Sequence, residues 1–235
     1  MTAGDLSTNL DKDGVWGEVL HDACRGGPAL FLDRDGVVVE EVDYLSRVED
    51  VVVIGGAAEV IEAANARGIP VVLATNQAGI GRGYYGWREF AAVQAVILGA
   101  LGGTGARIDA VYACPHHPDG LPPYRHPNHP ARKPNPGMLL RAARELNLDL
   151  GKSWLIGDKS SDIEAARAAG LAGALHVLTG HGAEHRDVVT TLETAEFRLS
   201  LGRSIEDAFL SIPLLARNQP LRPKTTSPTR LKRRR

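Results

Sequence analysis

The stretch Ala29-Leu30-Phe31-Leu32-Asp33-Arg34-Asp35-Gly36-Val37 runs four apolar residues into two carboxylates and a glycine. A short apolar run of this kind reads as a buried strand, Ala29–Leu32. At its exit, carboxylates two residues apart point to the same side, so Asp33 and Asp35 crowd their charges. Such crowding is costly unless a cation sits between them. Gly36 lets the backbone turn sharply away. An ordinary turn after a strand would use the same residue types, so the reading depends on what the rest of the chain adds.

Outward from this stretch, apolar runs alternate with helical patterns. Ala57 to Arg67 is an Ala/Glu-rich helix with Gly68 in the position of a C-terminal cap. Further strands are expected at Ile69–Ala74, Ile108–Ala113, Ser153–Ile156, Ala174–Leu178 and Phe197–Leu199. Helices are expected at Trp87–Leu101, Gly137–Leu146, Ser161–Ala169 and Ser204–Leu210. Alternation of this kind predicts an α/β fold, a three-layer, doubly wound parallel sheet covered on both faces. Ligands in such sheets sit at the carboxyl ends of strands, near the point where strand order reverses.

Three other groups fall at those ends. Thr75-Asn76-Gln77 closes the second strand, and Gly157-Asp158-Lys159-Ser160-Ser161-Asp162 closes the fourth. Arg132-Lys133-Pro134 precedes a helix. Taken singly, Thr75 or Asp158 would serve as a helix cap and Lys133 as a solvated charge. Four such groups in this order and in this context point to one site.

On these residues the sequence resembles the haloacid dehalogenase superfamily of phosphotransferases over about Ala29 to Val189, whose four motifs match Asp33-x-Asp35-Gly36-Val37, Thr75, Lys133 and Gly157-Asp158-x-x-x-Asp162. Longer strings, Thr75-Asn76-Gln77-Ala78-Gly79-Ile80, Cys114-Pro115-His116-His117-Pro118 and Arg132-Lys133-Pro134-Asn135-Pro136-Gly137-Met138-Leu139, are similar to its group of heptose-bisphosphate and histidinol phosphatases. The resemblance implies a Rossmann-like sheet with a minimal cap and a Pro/His-rich loop. It implies a Mg²⁺-dependent phosphatase that removes the C7 phosphate of a heptose 1,7-bisphosphate, on the way to a cell-surface polysaccharide precursor. Histidinol phosphate, or a broad range of small phosphomonoesters, is the alternative substrate.

In that reading Asp33 is the nucleophile and forms an aspartyl-phosphate, and Asp35 is the general acid and base. Thr75 and Lys133 stabilise the transferring group. Asp33, Asp35 (through its carbonyl) and Asp158 hold Mg²⁺, and Asp162 orients Lys133. Substrate contacts are expected from Arg34, Glu41, Asp43, Tyr44, Asn76, Gln77 and Lys159. Arg132 is expected to hold a distal phosphate, to which a planar bidentate donor suits.

Between Cys114 and Pro136 lie eight of the fourteen prolines and four of the eight histidines. A loop this long without regular structure is usually functional or held by a metal. Relatives commonly hold zinc with Cys-x-His and a later Cys-x-Cys. Here Cys114 and His116 fit, but the later pair reads His129-Pro130-Ala131, so Cys114, His116, His117 and His129 are the ligand set expected for a structural zinc, with His126 as an alternative to His117. A proline-stiffened loop with unliganded histidines is the competing reading.

Composition bounds the rest. The chain has 235 residues, a net charge of −1 and two cysteines, Cys24 and Cys114. Two cysteines build no disulfide framework, which fits a reducing cytoplasm. No apolar stretch is long enough to span a membrane, and the acids in residues 1–27 are unlike an export signal. Residues 216–235 hold eight Lys or Arg and no acid. The body is left with 19 basic against 28 acidic residues, a charge of −9, so nucleic acid is not an expected partner of the folded part. The domains expected are an N-terminal extension over 1–27, the phosphatase domain over 28–215 and a basic, disordered tail over 216–235. A monomer is expected. A tail-driven nucleic-acid-associated protein with a vestigial body is the rival reading from another class.

Overall fold

The computed structural model describes residues 6–21 and 26–216. The apolar runs become seven strands, β1 (Trp16–Val19), β2 (Leu30–Leu32), β3 (Val71–Asn76), β4 (Ala110–Cys114), β5 (Trp154–Gly157), β6 (Gly173–His176) and β7 (Arg198–Leu201). They form one sheet in the order β1-β4-β3-β2-β5-β6-β7. Strands β2 to β7 all run parallel and β1 pairs antiparallel with β4. The helices are α1 (Ala57–Ala66), α2 (Ala78–Gly81), α3 (Trp87–Gly102), α4 (Gly137–Leu146), α5 (Ser160–Ala168), α6 (Gly182–Val189) and α7 (Ala208–Ser211).

Alternation along the central strands divides the core into two layers. Leu30 and Leu32 face one side with Val60 and Ile61 of α1 and Phe90 and Ile97 of α3. Phe31 faces the other with Met138 and Leu139 of α4 and Ile163 and Ala166 of α5. Both faces of β2 are therefore dry, which is why its sequence is continuously apolar. The predicted α/β class and three-layer arrangement are what the chain adopts. Strand boundaries differ from the sequence reading by no more than two residues.

The order of strands reverses at β2. Leu32 pairs with Leu73 on one side and Ile156 on the other. The next residues along these three strands bring Asp33, Thr75 and Asp158 to one end of the sheet. Gly36 makes the turn after β2 at φ 81°, and a Cβ there would lie 2.6 Å from Asp158 Oδ2. Only glycine permits both the conformation and the approach.

Strand β1 was not foreseen. Four residues at an edge are too short for periodicity to show, and the segment had been read as an extension. Trp16 is buried, and its ring stacks on Trp87 at 5.4 Å and meets Phe90 edge-on. Helices α2 and α6 were likewise not anticipated. The segment read as a helix over Ser204–Leu210 divides into a 3₁₀ turn, Ile205–Asp207, and α7. Among the described residues no helix is long and apolar enough to cross a membrane. Cys24 and residues 217–235 of the basic tail lie outside the described residues.

Candidate active site

The carboxyl ends of β2 and β5 bring three carboxylates together. Oxygens of Asp33, Asp158 and Asp162 all lie within 4.8 Å of one another, and all three residues are buried. Asp158 Oδ2 accepts from the His181 N–H at 2.8 Å, while its Oδ1 is buried without a hydrogen-bond partner. Asp33 Oδ1 accepts from the Arg34 N–H at 2.8 Å. Burial, and then the nearby Asp33 and Asp162 charges, push Asp158 up to about 8. An all-oxygen cluster with an orphaned carboxylate oxygen fits a hard divalent cation such as Mg²⁺. The sequence reading grouped Asp35 with Asp33 and Asp158; in side-chain terms the third member is Asp162.

A pH dependence follows. Between the ordinary 3.8 of Asp158 and about 8, the folded chain retains a proton that the unfolded chain has lost. This contribution to stability is full below the lower value and is lost as pH rises through the upper one. Melting curves of metal-free protein are expected to fall across that window. The rise in melting temperature on adding Mg²⁺ is expected to grow from pH 6 to pH 8, as the cation no longer competes with the proton. A Mg²⁺ shift that does not vary with pH would remove Asp158 from the cation site.

Lys133 is buried, and its ammonium donates to the Ala74 carbonyl at 2.7 Å and meets Asp33 Oδ1 at 2.9 Å and Asp162 Oδ1 at 2.6 Å. Its three protons are all engaged. Burial works against its charge, but Asp162 and Asp33 outweigh it and hold the pKa above the ordinary lysine value. Lys133 therefore acts on its surroundings as a fixed positive charge beside Asp33. Asn76, expected to touch substrate, lines the cavity and also clamps the Lys133 backbone: its Nδ2 donates to the carbonyl at 2.9 Å and its Oδ1 accepts from the N–H at 3.1 Å.

Asp35 is oriented by a second network. Arg34 donates to it from Nε and Nη2, and Gln77 Nε2 donates to its Oδ2 at 2.9 Å. Gln77 Nε2 also donates to Thr75 Oγ1 at 2.8 Å, and its Oε1 accepts from Tyr85 Oη. With its oxygen accepting there, the Thr75 hydroxyl keeps its own proton to donate. Arg34 and Gln77, both expected to contact substrate, line the cavity and also make these bonds to Asp35 and Thr75. Arg34 is fully buried beneath Asp35, with its guanidinium 5.3 Å from the Phe90 ring centroid.

These groups open on a cavity of about 480 Å³. Glu41, Asp43, Tyr44, Arg132 and Lys159 line it as expected, and Arg82, His117 and His181 join them without having been anticipated. Lys159 Nζ pairs with Glu41 at 3.1 Å, and His181 approaches the same carboxylate. The signal for Arg82 was present, since it lies seven residues beyond Thr75 in the turn that follows α2, but nothing in the sequence says that turn folds over the site.

The Pro/His-rich loop is fastened by its own hydrogen bonds. Leu121 N–H donates to the Gly81 carbonyl at 2.6 Å, and Trp87 Nε1 donates to Tyr124 Oη at 3.1 Å. The four residues expected to hold zinc are not gathered. Among the described residues only Asp33, Asp158 and Asp162 form a group with metal-ligand spacing. His116 and His129 stack face to face at 3.7 Å, but His117 turns into the cavity toward Arg82. Successive residues in the extended chain point to opposite sides, so His116 and His117 diverge.

Parallel strands that end in this acidic cluster, with the buried Lys133 beside it, form a site suited to cation-assisted transfer of a phosphoryl group, and the relatives of the chain are phosphatases. A family model described as HAD-hydrolase-like matches residues 130–196. The chain is 46% identical over 170 residues to a D-glycero-beta-D-manno-heptose-1,7-bisphosphate 7-phosphatase of Mesorhizobium japonicum, covering 69% of this chain and 76% of that one. Among solved structures, a HAD-like phosphatase of Mesorhizobium loti superposes with a TM-score of 0.78 at 38% identity, covering 90% of this chain and 99% of the other. A D,D-heptose 1,7-bisphosphate phosphatase of B. bronchiseptica, complexed with magnesium and phosphate, gives 0.66 at 30% identity, over 76% and 94% of the two chains. The chain belongs to the HAD-like phosphatase family that includes these proteins.

Proposed function

We propose that the protein hydrolyses the C7 phosphate of D-glycero-D-manno-heptose 1,7-bisphosphate through an aspartyl-phosphate. The observation that carries the reading is that Asp33, Asp35, Thr75 and Lys133 line one cavity that also presents Arg132, with the Asp158 carboxylate gathered against Asp33. The names of the relatives at 46% and 30% identity support the substrate.

Asp33 Oδ2, which takes no hydrogen bond among the described residues, attacks phosphorus as the bond to the sugar oxygen breaks. Asp35 delivers a proton to that leaving oxygen. It then takes one from the water that attacks the aspartyl-phosphate, which frees inorganic phosphate and restores the Asp33 carboxylate. The Thr75 hydroxyl donates to a phosphoryl oxygen, and the Lys133 charge offsets the growing negative charge beside Asp33. Asp33, Asp158 and the Asp35 carbonyl would hold Mg²⁺, which would supply the charge neutralisation that lets one anion approach another. Asp162 stays with Lys133 and the Lys159 N–H.

Every group in this scheme comes from one chain, so the site is complete without a residue from a second copy. A reducing, cytoplasmic setting belongs to the same reading, because a chain with two cysteines builds no disulfide framework. Phosphate release from a panel of sugar bisphosphates, sugar monophosphates and histidinol phosphate tests the substrate. The expected result is a kcat/KM for the heptose bisphosphate at least about tenfold above every other compound, the discrimination that one well-placed charged contact gives. Equal rates across the panel would defeat the assignment.

A further inference from the structure

The positive charges around the cavity are not equally compensated. Arg34 is neutralised by Asp35, Lys133 by Asp33 and Asp162, and Lys159 by Glu41. Arg132 has no ion pair among the described residues. Its Nη1 donates only to the His116 carbonyl, at 3.0 Å. Burial disfavours the Arg132 charge, and the neighbouring Arg82 charge adds to that effect. Arg82 is itself nearly unpaired. Its one carboxylate neighbour, Asp119, lies 3.4 Å away on a side chain that is 77% exposed, so water screens it. Arg82 Nε is buried without a partner.

Arg82 is held in place from two sides. Its Nη1 donates to Tyr44 Oη at 2.6 Å, and its Nη2 meets His117 Nε2 at 3.2 Å. Two guanidiniums are thus fixed on one wall, repelling each other with no strong anion to answer them. That arrangement is unfavourable by itself and becomes favourable when a dianion bridges the pair, because a guanidinium binds phosphate oxygens through a planar fork.

We propose that Arg82 is the second arm of an anion clamp: Arg82 and Arg132 together bind the phosphate of the substrate that is not cleaved. The inference rests on the reading of the substrate as a sugar bisphosphate and adds the residue that makes the protein select one. It also gives Tyr44 a role, since its hydroxyl fixes the direction of Arg82.

The test compares matched pairs, D-glycero-D-manno-heptose 1,7-bisphosphate with heptose 7-phosphate and fructose 1,6-bisphosphate with fructose 6-phosphate. In each pair the ratio of kcat/KM for the bisphosphate to that for the monophosphate reads the clamp alone. Arg82→Gln is expected to lower this ratio by about ten- to hundredfold, the range for losing a charged hydrogen-bond partner, mainly through KM. Arg82→Lys, which keeps charge and loses the fork, is expected to fall between. An unchanged ratio in Arg82→Gln, with a melting curve like the parent's, would overturn the proposal. Tyr44→Phe, which frees the Arg82 guanidinium to turn but keeps its charge, is expected to lower the ratio less than Arg82→Gln does. If the parent prefers fructose 1,6-bisphosphate to the heptose compound, the named substrate fails while the clamp stands. If it favours neither bisphosphate over its monophosphate, the clamp fails.

Discussion

Asp33→Asn is expected to lower turnover by about 10⁴-fold or more, as removal of a covalent nucleophile does elsewhere, while the protein folds normally. The two consequences separate because of where Asp33 sits. An amide has the same shape as the carboxylate, and its oxygen still accepts from the Arg34 N–H and from Lys133 as Oδ1 does now. What it lacks is the negative charge and the nucleophilic second oxygen. Removing one charge from the group formed with Asp158 and Asp162 relieves repulsion among buried carboxylates. The melting temperature in a chelator is therefore expected to match the parent's or exceed it, and the Mg²⁺-dependent rise to shrink. Calorimetry with and without Mg²⁺, beside an assay of phosphate release, checks both halves. Turnover within tenfold of the parent would take Asp33 out of the nucleophile role.

Lys133→Met should damage catalysis and stability together. The lysine side chain is 1% exposed and is the common partner of Asp33 and Asp162. Methionine fills similar space but strands Asp162 without a cation in the interior. Breaking a buried pair from one side costs about 3–5 kcal/mol, which for a domain of this size is about 6–20 °C in melting temperature. Burial already pushes Asp162 up from its ordinary value, with Lys133 working the other way. Once Lys133 is gone the stranded carboxyl is expected to bind a proton. The loss of stability should then be smaller at pH 5 than at pH 8. Adding Asp162→Asn to the variant is expected to recover part of the melting temperature and none of the turnover, which should remain down by about 10²–10³-fold. A loss below about 1 kcal/mol in Lys133→Met would mean that the ammonium is solvated and that the pairing has little weight.

Both results turn on charges whose positions along the chain gave only part of their meaning. The string Phe31-Leu32-Asp33-Arg34-Asp35-Gly36 carries its own geometry: an apolar strand, an exit, and a glycine at φ 81°. Thr75 and Asp158 were likewise readable as strand-end residues, because a strand buried on both faces is written as an uninterrupted apolar run. Strand β1 was not readable, since its fit comes from Trp16 meeting Trp87 and Phe90, partners more than 70 residues away. The same limit applied to Asn76, Gln77 and Arg34. As polar residues beside a site they looked like substrate contacts, and in the fold they also hold Lys133, Thr75 and Asp35.

The roles proposed for the site residues, and the place of Lys133 among them, came from a resemblance; by itself the sequence determined the α/β class and the end of the sheet at which Asp33, Thr75 and Asp158 lie. These follow from local rules, namely side-chain alternation, strand length and the backbone freedom of glycine. Tertiary structure alone decided how the charges are shared: that Asp162 rather than the Asp35 side chain completes the acidic group, that His117 faces Arg82 instead of His116 and His129, and that Arg82 and Arg132 stand on one wall without a strong counter-charge. The reason is the range of the interactions. Backbone preference is settled within a few residues, whereas which carboxylate answers which cation depends on distances of a few ångströms between segments that only folding brings together.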